Sequence, residues 1–441
     1  MWGNLLEKLL DFLNKYDPKR TFNFGNEILE KKFNELREQF VETFVYEVLG
    51  EEKLQEAYFF VRKLTLVCEE VKRLYNLSEI VWSRELRRFI KDPLRHLKHV
   101  LRFYVFDVLR RHITKEEFWD RGAAAVRTAF RTNERACYER WVLLEILKQL
   151  KIRENARIIY PEIGALVLTR AGKQKLAIIP PDIIVELQNL SDLSFFLEAP
   201  RPITWGDTQE LKFVWSLYRI ARPDILVYAD KIFNILDLSK EPPIKNPDVV
   251  IEIKFLENWW KRKRLLRIFS KPLTIEHWRS LWIQGLYEGL SEILGIRKPK
   301  TEELKPQKGA YATDLQVLKM YLEIFNPKML FCVSMVPVPN SIKEELESYN
   351  TIIVDDVSFN EKKLEIITDH LIHLAKSTKS SPLSTLMSHV RSKGFSLSES
   401  DLLSFAIQFA LMYKNEFLDF LRRKILKREQ KQKVLLSYKR A

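Results

Sequence analysis

Six consecutive residues, Val249-Val250-Ile251-Glu252-Ile253-Lys254, constrain the fold of this chain more than any other stretch. The run has strand length and β-branched composition, yet it carries two charges. Residues two apart on a strand share a face. Glu252 and Lys254 therefore point the same way, with Val250 behind them. Val249, Ile251, Ile253 and Phe255 fill the opposite face. Burying a carboxylate or an ammonium without a partner costs roughly several kcal/mol. Two charges side by side in such a strand point to a metal ion, a substrate or both.

A second run supplies the missing part. In Arg222-Pro223-Asp224-Ile225-Leu226-Val227-Tyr228, an aspartate opens an apolar strand just after a proline. If the two runs pair as antiparallel neighbours, Asp224 and Glu252 converge on one cation. The segment between them, about 230–246, contains Pro242-Pro243 and reads as the hairpin connection. Two carboxylates plus water suit Mg²⁺, or Mn²⁺ in its place. Lys254 beside such an ion can position an attacking water or stabilise charge on a phosphoryl oxygen. The alternative is a buried Glu–Lys pair that stabilises a sheet, with Asp224 capping a turn.

Pro223-Asp224 together with Glu252-Ile253-Lys254 resembles the PD-(D/E)XK signature of the restriction-endonuclease-like nucleases. The resemblance implies an α/β fold, a mixed sheet flanked by helices. It implies that Asp224 and Glu252 bind metal, that Ile253 lends its backbone carbonyl, and that Lys254 is catalytic. Upstream, Thr132 to Glu145 reads as a helix with Asn133 as its N-cap. Its Tyr138-Glu139-x-Trp141 string resembles the helix before the nuclease core in McrC-like restriction subunits, which makes Glu139 a third candidate carboxylate. The alternative for Glu139 is a solvated helix glutamate. Downstream, a helix is predicted over Ile275 to Leu294. Its Gln284 and Tyr287 resemble the glutamine–tyrosine motif of RecB-type nucleases, at a spacing one residue shorter, and Gln284 is a candidate to reach substrate phosphate.

The order of elements predicts three parts. Residues 1–128 read as an all-α N-terminal domain. Residues 129–376 read as the nuclease core, with an inserted segment around 155–205. Residues 377–441 read as a linker and a basic helical appendage. Strand-like runs lie at Arg157–Tyr160, Gln174–Ile179 and Ile183–Leu187, with Leu211–Arg219 as the expected first core strand. Met329–Val336 and Thr351–Asp356 read as further strands, separated by a short helix that Ser341 could cap. Asp355 and Asp356 suit a turn better than the site. Another proline–aspartate pair, Pro181-Asp182, has no matching Glu-x-Lys downstream, so Asp224 is preferred.

Composition narrows the function classes. The chain has 441 residues, 46% of them hydrophobic, enough for a large core. With 12 glycines and no GxxxxGK[ST] string, it offers no P-loop motor of its own. Cys68, Cys137 and Cys332 match neither a zinc site nor a disulfide framework. Reduced thiols, no apolar run of membrane-spanning length and no secretory leader predict a cytoplasmic protein.

The formal charge is +14, and its placement matters more than its size. Trp259-Trp260-Lys261-Arg262-Lys263-Arg264 follows Lys254 directly. Its cations suit backbone phosphates, and its tryptophans suit either stacking on bases or core packing. Trp259, Lys261, Arg262, Lys263 and Arg264 are therefore the candidate DNA contacts. Residues 421–441 hold nine Lys/Arg against one Glu. Arg84, Arg87, Arg88, Arg95, Lys98, Arg102, Arg110 and Arg111 make the N-terminal region basic as well. The expected partner is nucleic acid, DNA by resemblance. A homodimer would supply two sites for a double-strand cut. The rival readings are a non-catalytic nucleic-acid-binding scaffold, and a nuclease subunit that needs a separate motor or guide partner.

Overall fold

The computed structural model describes residues 1–169, 179–188, 190–199, 222–235, 245–266 and 310–378. Apolar residues at helical spacing build the N-terminal part from α1 (Trp2–Tyr16), α2 (Glu27–Leu49), α3 (Glu51–Tyr75), α4 (Arg84–Lys91), α5 (Pro93–Val100) and α6 (Arg102–Leu109). Asn26 caps α2 by accepting from the Ile28 and Leu29 amides, and Asp92 caps α5 ahead of a proline at the first helical position.

Helix α7 (Lys115–Glu154) is the spine of the molecule. Its 40 residues rise about 60 Å. Thr114 and Glu117 form a capping box at its start, and Asn155 ends it in the left-handed conformation. From Cys137 to Leu150 every residue is buried, as expected of a helix surrounded by other elements. The helix expected to begin at Asn133 therefore begins eighteen residues earlier, at Lys115. Asn133 is not an N-cap: it lies mid-helix, and its side-chain amide donates to the Ala129 carbonyl at 2.8 Å. The boundary expected at residue 128 falls inside α7, which runs on from the N-terminal helices to the sheet without a break.

Among the described residues the main sheet has seven strands. In spatial order they are β11 (Thr351–Val354), β10 (Met329–Ser334), β7 (Val249–Lys254), β6 (Ile225–Tyr228), β5 (Leu193–Leu197), β4 (Ile183–Glu186) and β2 (Arg157–Tyr160). From β2 to β7 all pairings are antiparallel; β7–β10 and β10–β11 are parallel. The fold is thus mixed α/β with a mixed sheet. Two short pairs complete it: β1 (Glu79–Val81) runs parallel to β3 (Ala165–Val167), and β8 (Lys263–Leu266) antiparallel to β9 (Ala310–Thr313).

Two expectations change here. The stretch around 155–205 is not an insertion: β2, β4 and β5 are the antiparallel half of the main sheet. Leu211–Arg219, the expected first core strand, lies outside the described residues. The short helix α9 (Asn340–Glu347), which follows α8 (Asp314–Phe325), starts after Pro339, so Ser341 sits inside it and caps nothing. Of the C-terminal appendage expected at 377–441, only the first two residues are described. The last, Thr378, follows α10 (Glu365–Ser377).

Alternation along the strands divides the core in two. Val249, Ile251 and Ile253 of β7, with Ile225 and Val227 of β6, pack on the side of α7 and α10. Val250, Leu226, Leu330 and Cys332 pack against α8 on the other side. Glu252 and Lys254 share that second face with Val250, as the period of two requires.

Candidate active site

The antiparallel register of β6 and β7 pairs Ile225 with Ile251 and Leu226 with Val250. Continued one residue, it sets Asp224 beside Glu252. The contacts confirm this placement. The Asp224 amide donates to Glu252 Oε2 at 3.1 Å, and the Ile253 amide donates to Asp224 Oδ2 at 2.7 Å. Lys254 Nζ lies 2.7 Å from Glu252 Oε1. Asp224, Glu252 and Lys254 are 7%, 2% and 3% exposed. Two observations fix the backbone around them. Tyr321 of α8 donates its hydroxyl to the Arg222 carbonyl at 3.1 Å, and the Lys254 carbonyl accepts from the Met335 amide at 2.8 Å.

Helix α7 closes the site. Tyr138 and Trp141 seat it against Phe359, at ring distances of 5.3 and 5.0 Å. Glu139, between them in sequence, is buried, and it accepts a hydrogen bond from Arg135 one turn earlier. Arg135 also reaches Asp224 Oδ1 at 3.5 Å. Glu139 is therefore not a solvated helix residue. A further carboxylate, Glu198, ends β5 beside this group. Its amide donates to the Asp224 carbonyl at 2.9 Å, and its side chain pairs with Arg140 at 3.2 Å.

The electrostatics follow from burial and crowding. Burial pushes the Asp224 carboxyl up to about 6, and the neighbouring Glu252 charge adds to the rise; Arg135, the Ile253 amide and Lys254 oppose it. Burial also raises Glu139, against the pull of Arg135. The Arg135 guanidinium is held well above its ordinary value, by Glu139 first and then by Asp224 and Glu252. Among the described residues, the carboxylates Glu139, Glu198, Asp224 and Glu252 meet the cations Arg135, Arg140 and Lys254 in one group.

A crowded, buried pair of carboxylates fits a hard divalent cation. The donor chemistry fits Mg²⁺ or Mn²⁺: Asp224 and Glu252 offer oxygens, and Ile253, next to Glu252 on β7, offers a backbone carbonyl. Among the described residues no group of three His, Cys, Asp or Glu is arranged to hold a metal. Glu139 is engaged by Arg135 instead. Asp224 and Glu252 would supply the acidic donors among the described residues, and water or substrate oxygen would complete the set, as Mg²⁺ commonly requires.

The other candidates separate. Gln284 lies outside the described residues. Trp259 is 1% exposed, donates Nε1–H to Ser334 Oγ at 3.1 Å, and carries Lys254 Nζ 5.7 Å from its ring centroid. It backs the lysine and, buried in the second core, presents no accessible ring to a base. Lys261 and Arg262 are exposed at the turn that follows. Lys263 and Arg264 start β8, and their side chains lie outside the described part. Asp355 and Asp356 have turn roles: Asp355 accepts from the Val338 amide at 2.9 Å, and Asp356 pairs with Lys363 at 3.0 Å. Asp182 is spent on the Leu197 amide at 2.6 Å. Arg135, Arg140 and Glu198 are the residues that sequence reasoning missed. The spacing of Arg135 to Glu139 was visible; the 89 residues between Arg135 and Asp224 concealed the rest. Comparison with family models, with curated proteins and with solved structures finds no match.

Proposed function

We propose that this chain is a metal-dependent nuclease that hydrolyses phosphodiester bonds in DNA. The finer fold assignment, a restriction-endonuclease-like core, belongs to the same proposal. One observation carries it: two buried carboxylates from adjacent strands meet, and a lysine on the same face lies 2.7 Å from one of them. Asp224 and Glu252 would hold Mg²⁺ or Mn²⁺, which when bound would offset the negative charge that builds on the phosphoryl group. Lys254, fixed between Glu252 and the Trp259 ring, presents its ammonium to the attacking water or to a phosphate oxygen. Water attacks phosphorus, the P–O bond to one sugar breaks, and the leaving oxygen takes a proton. Arg135 balances the carboxylates until substrate and metal arrive. Lys261, exposed at the turn after Trp259, is a candidate contact for a flanking phosphate.

A second reading has its own observation. All four oxygens of the Asp224–Glu252 pair already have a protein partner within 3.5 Å: Arg135, the Ile253 amide, Lys254 and the Asp224 amide. That is also the pattern of a structural ion network in a non-catalytic binding protein. Nicking of supercoiled plasmid and of single-stranded DNA in Mg²⁺ and Mn²⁺ decides between them, with Glu252→Ala as control. Metal-dependent cleavage lost in the variant is the expected result. Cleavage equal in both proteins, or absent from both, overturns the nuclease reading.

A further inference from the structure

A second concentration of charge lies on the N-terminal helices. A cleft of about 470 Å³ opens between α2, α5 and α6, with Arg37, Arg95, Lys98, His99 and Arg102 around it and Phe106 in its wall. Only part of this charge is neutralised. Lys98 is held by Glu38 at 2.5 Å and Glu42 at 2.8 Å. Among the described residues no carboxylate lies within ion-pair distance of Arg37, Arg95 or Arg102. Arg37 is nevertheless half-buried. Its guanidinium sits 5.6 Å from the Phe33 ring and 5.7 Å from the Phe106 ring, which hold it in place. Burial lowers its pKa, Glu38 opposes the fall, and repulsion from Arg102 adds to it. The His99 imidazole is lowered by burial and then by Arg88, Arg102 and Arg84, so the positive field extends onto α4.

Guanidinium groups that repel one another and lack carboxylate partners are arranged for an anion that comes from outside. Their distribution decides which anion. They come from three helices, with α4 extending the row, and so exceed what one phosphate can contact. Phe103, next to Arg102, is 77% exposed and offers a stacking face. A repeating phosphate chain with bases attached suits both features. The cleft is also tied to the site. Buried His96 of α5 lies 3.3 Å from Asn133 of α7, and Asn133 precedes Glu139 by six residues, about 9 Å along the helix.

We infer that the α2–α5–α6 cleft grips the sugar–phosphate backbone of nucleic acid and guides it toward the Asp224–Glu252 pair. The binding claim stands by itself; only the shared substrate rests on the nuclease reading. The test uses the full chain in EDTA with a fluorescein-labelled DNA duplex, read by anisotropy from low to moderate salt. In the triple variant Arg37→Gln, Arg95→Gln, Arg102→Gln, binding near 0.1 M salt should weaken at least about 10-fold. The slope of log affinity against log salt should flatten by about 2 to 3, one increment per lost phosphate contact. Because EDTA removes any divalent metal, the binding readout is independent of cleavage, so a failure of the nuclease reading leaves this result untouched. Thermal melting by circular dichroism checks the fold. If the triple variant does not fold, exposed Arg102→Gln alone should flatten the slope by about 1. Parental affinity and slope in the folded variant overturn the inference.

Discussion

Glu134 offers the sharpest test of the helix that carries the site. It lies on α7 next to Arg135, is 3% exposed, and its Oε1 has no hydrogen-bond partner. Burial, with a smaller push from Glu56, raises its carboxyl from 4.5 to about 8, against the weaker pull of Lys53 and Arg131. The folded state therefore keeps a proton that the unfolded chain gives up. The sign follows from linkage: with the folded value above the unfolded one, stability is complete below about 4.5, falls as pH rises, and levels off above about 8. At about 1.4 kcal/mol per pH unit the full span of about 3.5 units amounts to about 5 kcal/mol. Water entry and side-chain relaxation reduce this, so about 2–5 kcal/mol is expected. Glu134→Gln keeps the shape and removes the charge. Urea denaturation of both proteins should give equal stabilities within about 1 kcal/mol at pH 4.5. At pH 8.5 the variant should be more stable by the full amount. Parallel curves of stability against pH for the two proteins would refute the claim that this glutamate is buried as the uncharged acid.

Four further outcomes concern the site and its support. Divalent-metal affinity, measured calorimetrically with Mn²⁺, should rise as pH passes through about 6, because Asp224 must lose its proton to act as a ligand; a flat profile, or an unaltered one in Asp224→Asn, would remove Asp224 from the metal site. Arg135→Gln deletes the cation shared by Glu139 and Asp224, so Mn²⁺ should bind several-fold more tightly, and weaker binding would show that Arg135 organises the pair rather than occupying it. Lys254→Ala should slow single-turnover DNA cleavage by about 10²–10³-fold, and an unchanged rate would exclude the lysine from the chemistry. Trp259→Phe removes the bond to Ser334 and should cost about 1 kcal/mol in a melting experiment while leaving DNA affinity intact; a large loss of binding would restore Trp259 as a base-stacking residue.

What could be read from the chain depended on whether its signal was local. The alternation of β7 was legible because two charges interrupted an apolar run, and period two then dictated which residues share a face. β5 gave no such mark: Leu193-Ser194-Phe195-Phe196-Leu197 is an ordinary apolar stretch, and its Ser194 is satisfied by the Asp230 carbonyl at 2.6 Å, far along the chain. Without that pairing in view, half of the sheet looked like an insertion. Asn133 misled for a different reason. A short polar side chain before an apolar periodic run reads as a cap, but here burial by α3 and α5 outweighs the local preference, and the amide bonds back into its own helix. The tryptophan pair stood between two readings because aromatics beside lysines suit both a core and a nucleic-acid surface, and only the second core decided it. The same reasoning bears on the charges. Every ion pair local in sequence, such as Arg135 with Glu139, was open to inspection, whereas the contact that ties that pair to Asp224 closes a loop of 89 residues. The proposed function depends on that second kind of contact. A single arginine joins the helix that reaches back toward the basic cleft to the strand that opens the acidic pair. Changing Arg135 should therefore disturb metal affinity through Asp224 while sparing DNA affinity in EDTA. A substitution that moved both together would mean that cleft and pair form a single site.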